Sequence, residues 1–162
     1  MLKNFGWVVS NKLAGCNLPR TVQELKWLRD QGIEAIVTLT EKPITDGRVI
    51  TATALEEIGL TVFHAPINDM KAPDDPTLTW SVMEFINQME KENKPVVIHC
   101  LVGQGRTGTL LHAYHLHNGD TLDEARAKIA AARPLSEWDN LSDPQREFLI
   151  KLAVAVKKGW AV

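Results

Sequence analysis

An apolar strand that runs through a glycine-punctuated loop straight into a helix constrains this chain more than any other feature. The segment is Val96-Val97-Ile98-His99-Cys100-Leu101-Val102-Gly103-Gln104-Gly105-Arg106-Thr107-Gly108-Thr109. A buried strand feeding a helix packs stably when the helix returns over a sheet, which points to parallel α/β architecture. The rest of the sequence alternates in the same way. Short strands are expected at residues 7–9 and 13–15, joined by the turn-like Ser10-Asn11-Lys12. Thr21-Val22-Gln23-Glu24 reads as a capping box opening a helix with Val22, Leu25 and Leu28 on one face and a stop at Gly32.

A β-branched strand is expected at residues 33–39, a loop at 43–47, and a helix through Ala52, Leu55 and Ile58 that ends at Gly59. Another strand follows at 60–65. Residues 66–76 hold three prolines and three aspartates and must be a loop. Asp75-Pro76 then supplies an N-cap and first helical residue. Residues 95–99 read as the next strand and 107–117 as an apolar helix. Two further capping boxes, Thr121 to Glu124 and Ser142 to Gln145, open the final helices. The expected fold is α/β: one domain over residues 1–162, with a central, mostly parallel sheet of four to five strands flanked by helices.

Composition narrows the class. A chain of 162 residues suits one domain, and 44% apolar with 23% charged residues excludes disorder as the main state. The net charge of −2 gives no general attraction to nucleic acid or anionic membrane. Two cysteines, Cys16 and Cys100, cannot build a disulfide framework and read as thiols of a reducing compartment. The apolar run at residues 5–9 is too short for a signal peptide, and no 18-residue apolar stretch occurs. A cytoplasmic protein is expected, with its oligomeric state left open, a monomer included.

The loop after His99 joins three chemical elements. Backbone N–H groups in such a turn converge on an anion, and the start of the following helix adds partial positive charge. Gly103 and Gly105 permit the tight backbone this needs. A thiol at the mouth of that nest ionises easily, and Arg106 offers a fork for two phosphate oxygens. Nucleophile, cradle and clamp together suit attack on phosphorus.

These residues resemble a known superfamily. His99-Cys100, five residues, then Arg106-Thr107 is similar to the signature loop of the cysteine-dependent protein tyrosine phosphatases. Trp7-Val8, Leu13-Ala14-Gly15, Leu18-Pro19-Arg20, Val37-Thr38-Leu39-Thr40-Glu41 and Arg133-Pro134 extend the likeness toward the small atypical dual-specificity phosphatases, over residues 5 to 148. The resemblance implies a two-step reaction without metal or cofactor. Cys100 would attack the phosphoryl group, Arg106 and the backbone of Leu101, Val102, Gly103, Gln104 and Gly105 would bind its oxygens, and Thr107 would hydrogen-bond the Cys100 sulfur. His99 would orient the loop and hold down the thiol pKa. Asp69 would protonate the leaving oxygen and then activate water. The family commonly has proline before this acid, where this chain has Asn68.

Simpler roles compete for several of these residues. Cys100 alone could be a buried hydrophobe, Arg106 a surface ion-pair partner, and Thr107 a helix cap. Asp74 is the second candidate for the acid, and Asp75 is better used as an N-cap. Gln145 could position water, although its capping-box role is simpler. His64, His112, His115 and His117 read as structural, with no third metal ligand evident beside 112 and 115. Cys16 reads as buried and inert, and Trp7, Trp27 and Trp80 as packing residues.

The interior of the loop carries no lysine or arginine, which argues against polyphosphoinositides and RNA 5′-triphosphates. The expected substrates are phosphotyrosine monoesters of proteins or peptides, with phosphoserine and phosphothreonine left open. A noncatalytic phosphate-binding module and a sulfurtransferase or thiol redox enzyme are the alternatives. The complete set of Cys100, Arg106, Thr107 and Asp69 speaks against the first, and the absence of a second cysteine beside Cys100 against the second.

Overall fold

Five strands and six helices alternate along residues 1–159, the part described by the computed structural model. They are β1 (Gly6–Val9), β2 (Leu13–Cys16), α1 (Val22–Asp30), β3 (Ala35–Thr38), α2 (Ala52–Ile58), β4 (Thr61–His64), α3 (Pro76–Lys91), β5 (Val96–His99), α4 (Gly105–His117), α5 (Leu122–Ala132) and α6 (Asp143–Lys157). Two short 3₁₀ turns, Pro134–Ser136 and Trp138–Asn140, link α5 to α6 and were not expected.

The sheet order is β1-β2-β5-β3-β4. Only β1–β2 is antiparallel; β2–β5, β5–β3 and β3–β4 are parallel. The expected mostly parallel sheet is therefore present, with five strands. Its interior strands β2, β3 and β5 are buried along their whole length, as a sheet covered on both faces requires. One face packs Ala14, Cys16, Ile36 and Val97 against Leu25, Leu28 and Leu55 of α1 and α2. The other packs Leu13, Val37, Val96 and Ile98 against α3 to α6 through Val82, Ile86, Leu110, Ile129 and Leu149.

Local signals explain where the elements begin. The Thr21/Glu24 and Thr121/Glu124 capping boxes form, as does the Ser142/Gln145 box, and the Asp75 carboxylate accepts from Thr77 N–H at 2.9 Å. Gly59 closes α2 in the left-handed conformation at φ +83°. One boundary moved. α4 begins at Gly105 rather than 107, so Arg106 and Thr107 lie in its first turn. Its N-cap residue Gln104 makes no side-chain cap, and the Thr107 N–H of the first turn instead meets the Cys100 sulfur.

β5 is the strand that positions the site. It lies between β2 and β3, parallel to both, and the connections from β2 to β3 and from β4 to β5 run over opposite faces. Carboxyl ends of strands at such a switch point open a crevice where ligands bind.

Candidate active site

Cys100 follows the last residue of β5, and its side chain is 3% exposed. Its Sγ accepts from the Gly103 N–H at 3.3 Å and from the Thr107 hydroxyl at 3.2 Å. Burial by itself pushes this thiol up. The Thr107 hydroxyl and N–H, the Gly103 N–H and the Arg106 charge outweigh burial and bring it below the usual thiol range. The turn that makes this possible depends on Gly103, whose φ is +82°. A Cβ there would also run into the backbone carbonyl of Cys16.

His99 stands one residue earlier and is fully buried. Its Nδ1–H donates to the Cys100 carbonyl at 3.0 Å, and its Nε2 faces the Thr38 hydroxyl at 2.9 Å. Burial lowers its pKa to about 4, with the nearby Arg106 charge acting in the same direction. The ring is therefore neutral. His99 is hydrogen-bonded to the loop backbone through the Cys100 carbonyl and, being neutral, adds no charge of its own beside the thiol.

Arg106 is 3% exposed. Its Nη1 donates to the Ile67 carbonyl at 3.0 Å and pairs with Glu41, while Nη2 lies 3.4 Å from Asp69 Oδ1. Three strand ends meet on this one side chain: Glu41 comes from the loop after β3, Ile67 and Asp69 from the loop after β4, and Arg106 itself from the turn after β5.

Asp69 sits in a turn in which Lys71 N–H donates to the Asn68 carbonyl at 3.0 Å. Met70 takes φ +63° in that turn, and its N–H donates to Asp69 Oδ1 at 2.9 Å. Positive φ at the third position is the type II pattern. The turn is tied to the start of α6: the Ser142 hydroxyl donates to the Met70 carbonyl at 2.7 Å, and Gln145 Nε2 to the Lys71 carbonyl at 3.1 Å. Gln145 thus serves both as the capping residue and as a tether for the acidic loop.

A cavity of about 230 Å³ is lined by Asp69, Cys100, Leu101, Val102, Gln104, Gly105, Arg106 and Gln145, among others. Asp74 does not line it. A larger groove of about 510 Å³ adjoins it through Asp69, Leu101 and Arg106. Leu101 and Val102, which line the cavity, are both exposed. An ionisable thiol, an uncapped helix start and a buried guanidinium converge there, with one carboxylate opposite. Such a set can hold a dianion, attack it and exchange a proton with it.

The remaining candidates make contacts within the fold. His64 Nε2 bonds the Thr40 carbonyl at 2.8 Å, and the Nδ1 atoms of His112 and His115 are engaged by Gly108 and Asp120. Among the described residues, no group of three or more His, Cys, Asp or Glu could hold a metal ion. Burial drives Cys16 far above the thiol range. Trp7 and Trp27 pack edge-on against Phe5, and Trp80 against His117.

Glu41 entered the sequence reading only as the end of the Val37–Glu41 likeness and not as a site residue. Its position just beyond a parallel strand end was the available signal. Arg133, noted only as half of an Arg-Pro pair, proves to be buried against the loop, where it bonds the Gly103 carbonyl.

Comparison with known proteins adds to this geometry. A family model described as "Polymorphic toxin system, DSP-PTPase phosphatase" matches residues 14–120. Human dual specificity protein phosphatase CDC14A is 26% identical over 160 residues, covering 90% of this chain and 25% of that protein. Mouse CDC14B is 34% identical over 85 residues, covering 51% of this chain and 17% of that protein. The chain thus spans a quarter or less of these relatives. Among solved structures, Tk-PTP in its active form matches with TM-score 0.79 and 27% identity, over 95% of this chain and 99% of that one. PTPMT1 matches in fold with TM-score 0.79 at 17% identity, over 95% and 96% of the two chains. With a family match across most of its length and a signature loop of the required geometry, the chain belongs to the DSP-PTPase phosphatase family.

Proposed function

We propose that residues 1–162 act as one phosphatase domain that hydrolyses phosphotyrosine monoesters of proteins or peptides, and phosphoserine and phosphothreonine esters as well. The observation that carries this reading is the Cys100 thiol, its ionisation favoured, held in an uncapped helix start beside a buried Arg106. In the first step the thiolate forms the S–P bond as the P–O bond to the substrate breaks, and Asp69 gives its proton to the departing oxygen. Arg106 and the loop N–H groups take up the charge of the equatorial oxygens. In the second step water attacks phosphorus, Asp69 takes back the proton, and the S–P bond breaks to restore the thiolate, which Thr107 stabilises. No metal or cofactor enters this sequence.

The uncharged interior of the loop supports singly phosphorylated substrates over polyphosphorylated lipids. The deciding experiment is hydrolysis of an aryl phosphate, a phosphopeptide panel and phosphoinositide vesicles by the purified chain with chelator present. Turnover of the aryl ester and phosphotyrosine peptides, abolished in Cys100→Ser, is expected. Undiminished activity of Cys100→Ser, or loss of activity with chelator, overturns the mechanism. Preference for the vesicles overturns the substrate class.

A further inference from the structure

Arg133 follows the last residue of α5 and is 4% exposed. It lines neither of the two cavities beside Cys100. Its Nη1 donates to the Gly103 carbonyl and the Ser136 hydroxyl, and its Nη2 to the Asn4 carbonyl at 2.6 Å. Every one of these acceptors is neutral. Among the described residues no carboxylate pairs with Arg133, and its buried Nε finds no acceptor.

A buried cation without a counter-charge is costly, and proteins retain one where an anion is nearby. Cys16, although close, stays a neutral thiol because burial drives its pKa up. The loop anion, first the Cys100 thiolate and then the bound phosphoryl group, is the charge left to balance it. The surroundings keep the room it needs. A Cβ on Gly15 would lie 2.9 Å from Arg133 Nε, and Asn4 Nδ2 also donates to the Val102 carbonyl at 3.0 Å. The guanidinium thus grips the loop carbonyl at Gly103 while the N–H of the same residue faces Cys100 Sγ.

We infer that Arg133 is a positioning residue of the phosphate-binding loop, fixing Gly103 from behind and supplying the loop anion with a second positive charge besides Arg106. For the phosphoryl group this rests on the phosphatase reading above; for the thiolate it rests on the hydrogen bonds of Arg133 and Gly103 and on the favoured ionisation of Cys100.

The experiment measures Cys100 alkylation by iodoacetamide against pH, read by mass spectrometry of the Cys100 peptide, in the full chain and in Arg133→Gln and Arg133→Lys. Inorganic vanadate protection is measured alongside, with thermal melts as the check on folding. In Arg133→Gln the alkylation midpoint should rise by about one pH unit. Vanadate should protect roughly tenfold more weakly. Arg133→Lys, which keeps the charge, should restore most of the midpoint. Equal midpoints in all three proteins, or equal shifts in Gln and Lys, overturn the inference. If Arg133→Gln does not fold, Gly15→Ala crowds the guanidinium together with the Thr107 methyl, and an unchanged midpoint there overturns it equally. Alkylation needs no turnover, so the two readings fail separately. A wild type with an Arg133-dependent midpoint that hydrolyses no phosphoester keeps this inference and ends the phosphatase reading. A wild type that hydrolyses normally, with variants alkylating as it does, ends the inference alone.

Discussion

Asp69 Oδ1 stands 3.4 Å from Arg106 Nη2, at the edge of the cavity that contains the Cys100 sulfur. The same guanidinium that would grip a phosphate therefore sits beside the carboxylate that would protonate its leaving group. Asp74 makes no such approach, and Asp75 spends its carboxylate on the N–H of Thr77. Proton delivery matters most when the leaving oxygen is basic. Asp69→Asn should slow hydrolysis of a phosphotyrosine peptide by about 100-fold or more, and by less for esters of acidic phenols. Asp74→Asn should show only a small effect. A plot of log rate against leaving-group pKa checks this. A slope that steepens for Asp74→Asn and stays flat for Asp69→Asn would move the acid to Asp74.

Thr107 makes the one side-chain hydrogen bond to the Cys100 sulfur among the described residues. Removing it takes a stabilising contact from the thiolate both as nucleophile and as leaving group. Thr107→Val should raise the pH midpoint of Cys100 alkylation and slow steady-state turnover by about 10-fold, in line with a hydrogen bond to a charged group. The slowing should fall on the second step, so that rapid-quench kinetics show a larger burst of phosphocysteine than the wild type. Equal slowing of burst and steady state would place the contact in the first step alone.

Gly103 has the left-handed φ of +82° and the Cys16 carbonyl against its open face. Gly103→Ala adds backbone strain and a collision with backbone that has no rotamer to yield. The loop must shift, so vanadate protection of Cys100 should fall by at least 10-fold, and thermal stability should drop. Retention of both would mean that the loop accommodates the methyl, and that its turn is not set by Gly103.

Two buried histidines make stability depend on pH. Burial holds His99 and His112 each at about 4 against an ordinary 6.5. Both are neutral in the folded chain while the unfolded chain takes up their protons near 6.5. Their contribution is present above that pH and is lost as pH falls from about 6.5 toward 4, on the order of 3 kcal/mol for each. Urea melts between pH 7.5 and 4.5 should show this decline, and His112→Gln should make its slope shallower. A flat stability profile over that range contradicts neutral burial.

Much of this architecture was legible because local chemistry dictates it. The capping residues Thr21, Thr121 and Asp75 mark helix starts through hydrogen bonds within three residues. The β-branched run through Ile36 and Val37 and the apolar run through Val97 and Ile98 mark buried strands by composition alone. The pairing of Cys100 with Thr107 was expected only through the family resemblance, since the residues by themselves suggested a helix cap at Thr107. What stayed hidden depends on topology. Glu41 reaches Arg106 only because β3 lies beside β5, and sequence carries no trace of that adjacency. Arg133 bonds Gly103 across 30 residues for the same reason. The early start of α4 was missed because glycine disfavours helix interiors in general, whereas at a first position it costs little.

Leu101 and Val102 line the cavity and remain 44% and 51% exposed. If the loop N–H groups hold the phosphate as proposed, the side chains of these two residues are left to meet what carries it. Substitutions at these two positions can reshape the rim without disturbing the main-chain donors beneath. Change at these two positions would then alter which ester fits while leaving Cys100, Arg106 and Asp69 as they are.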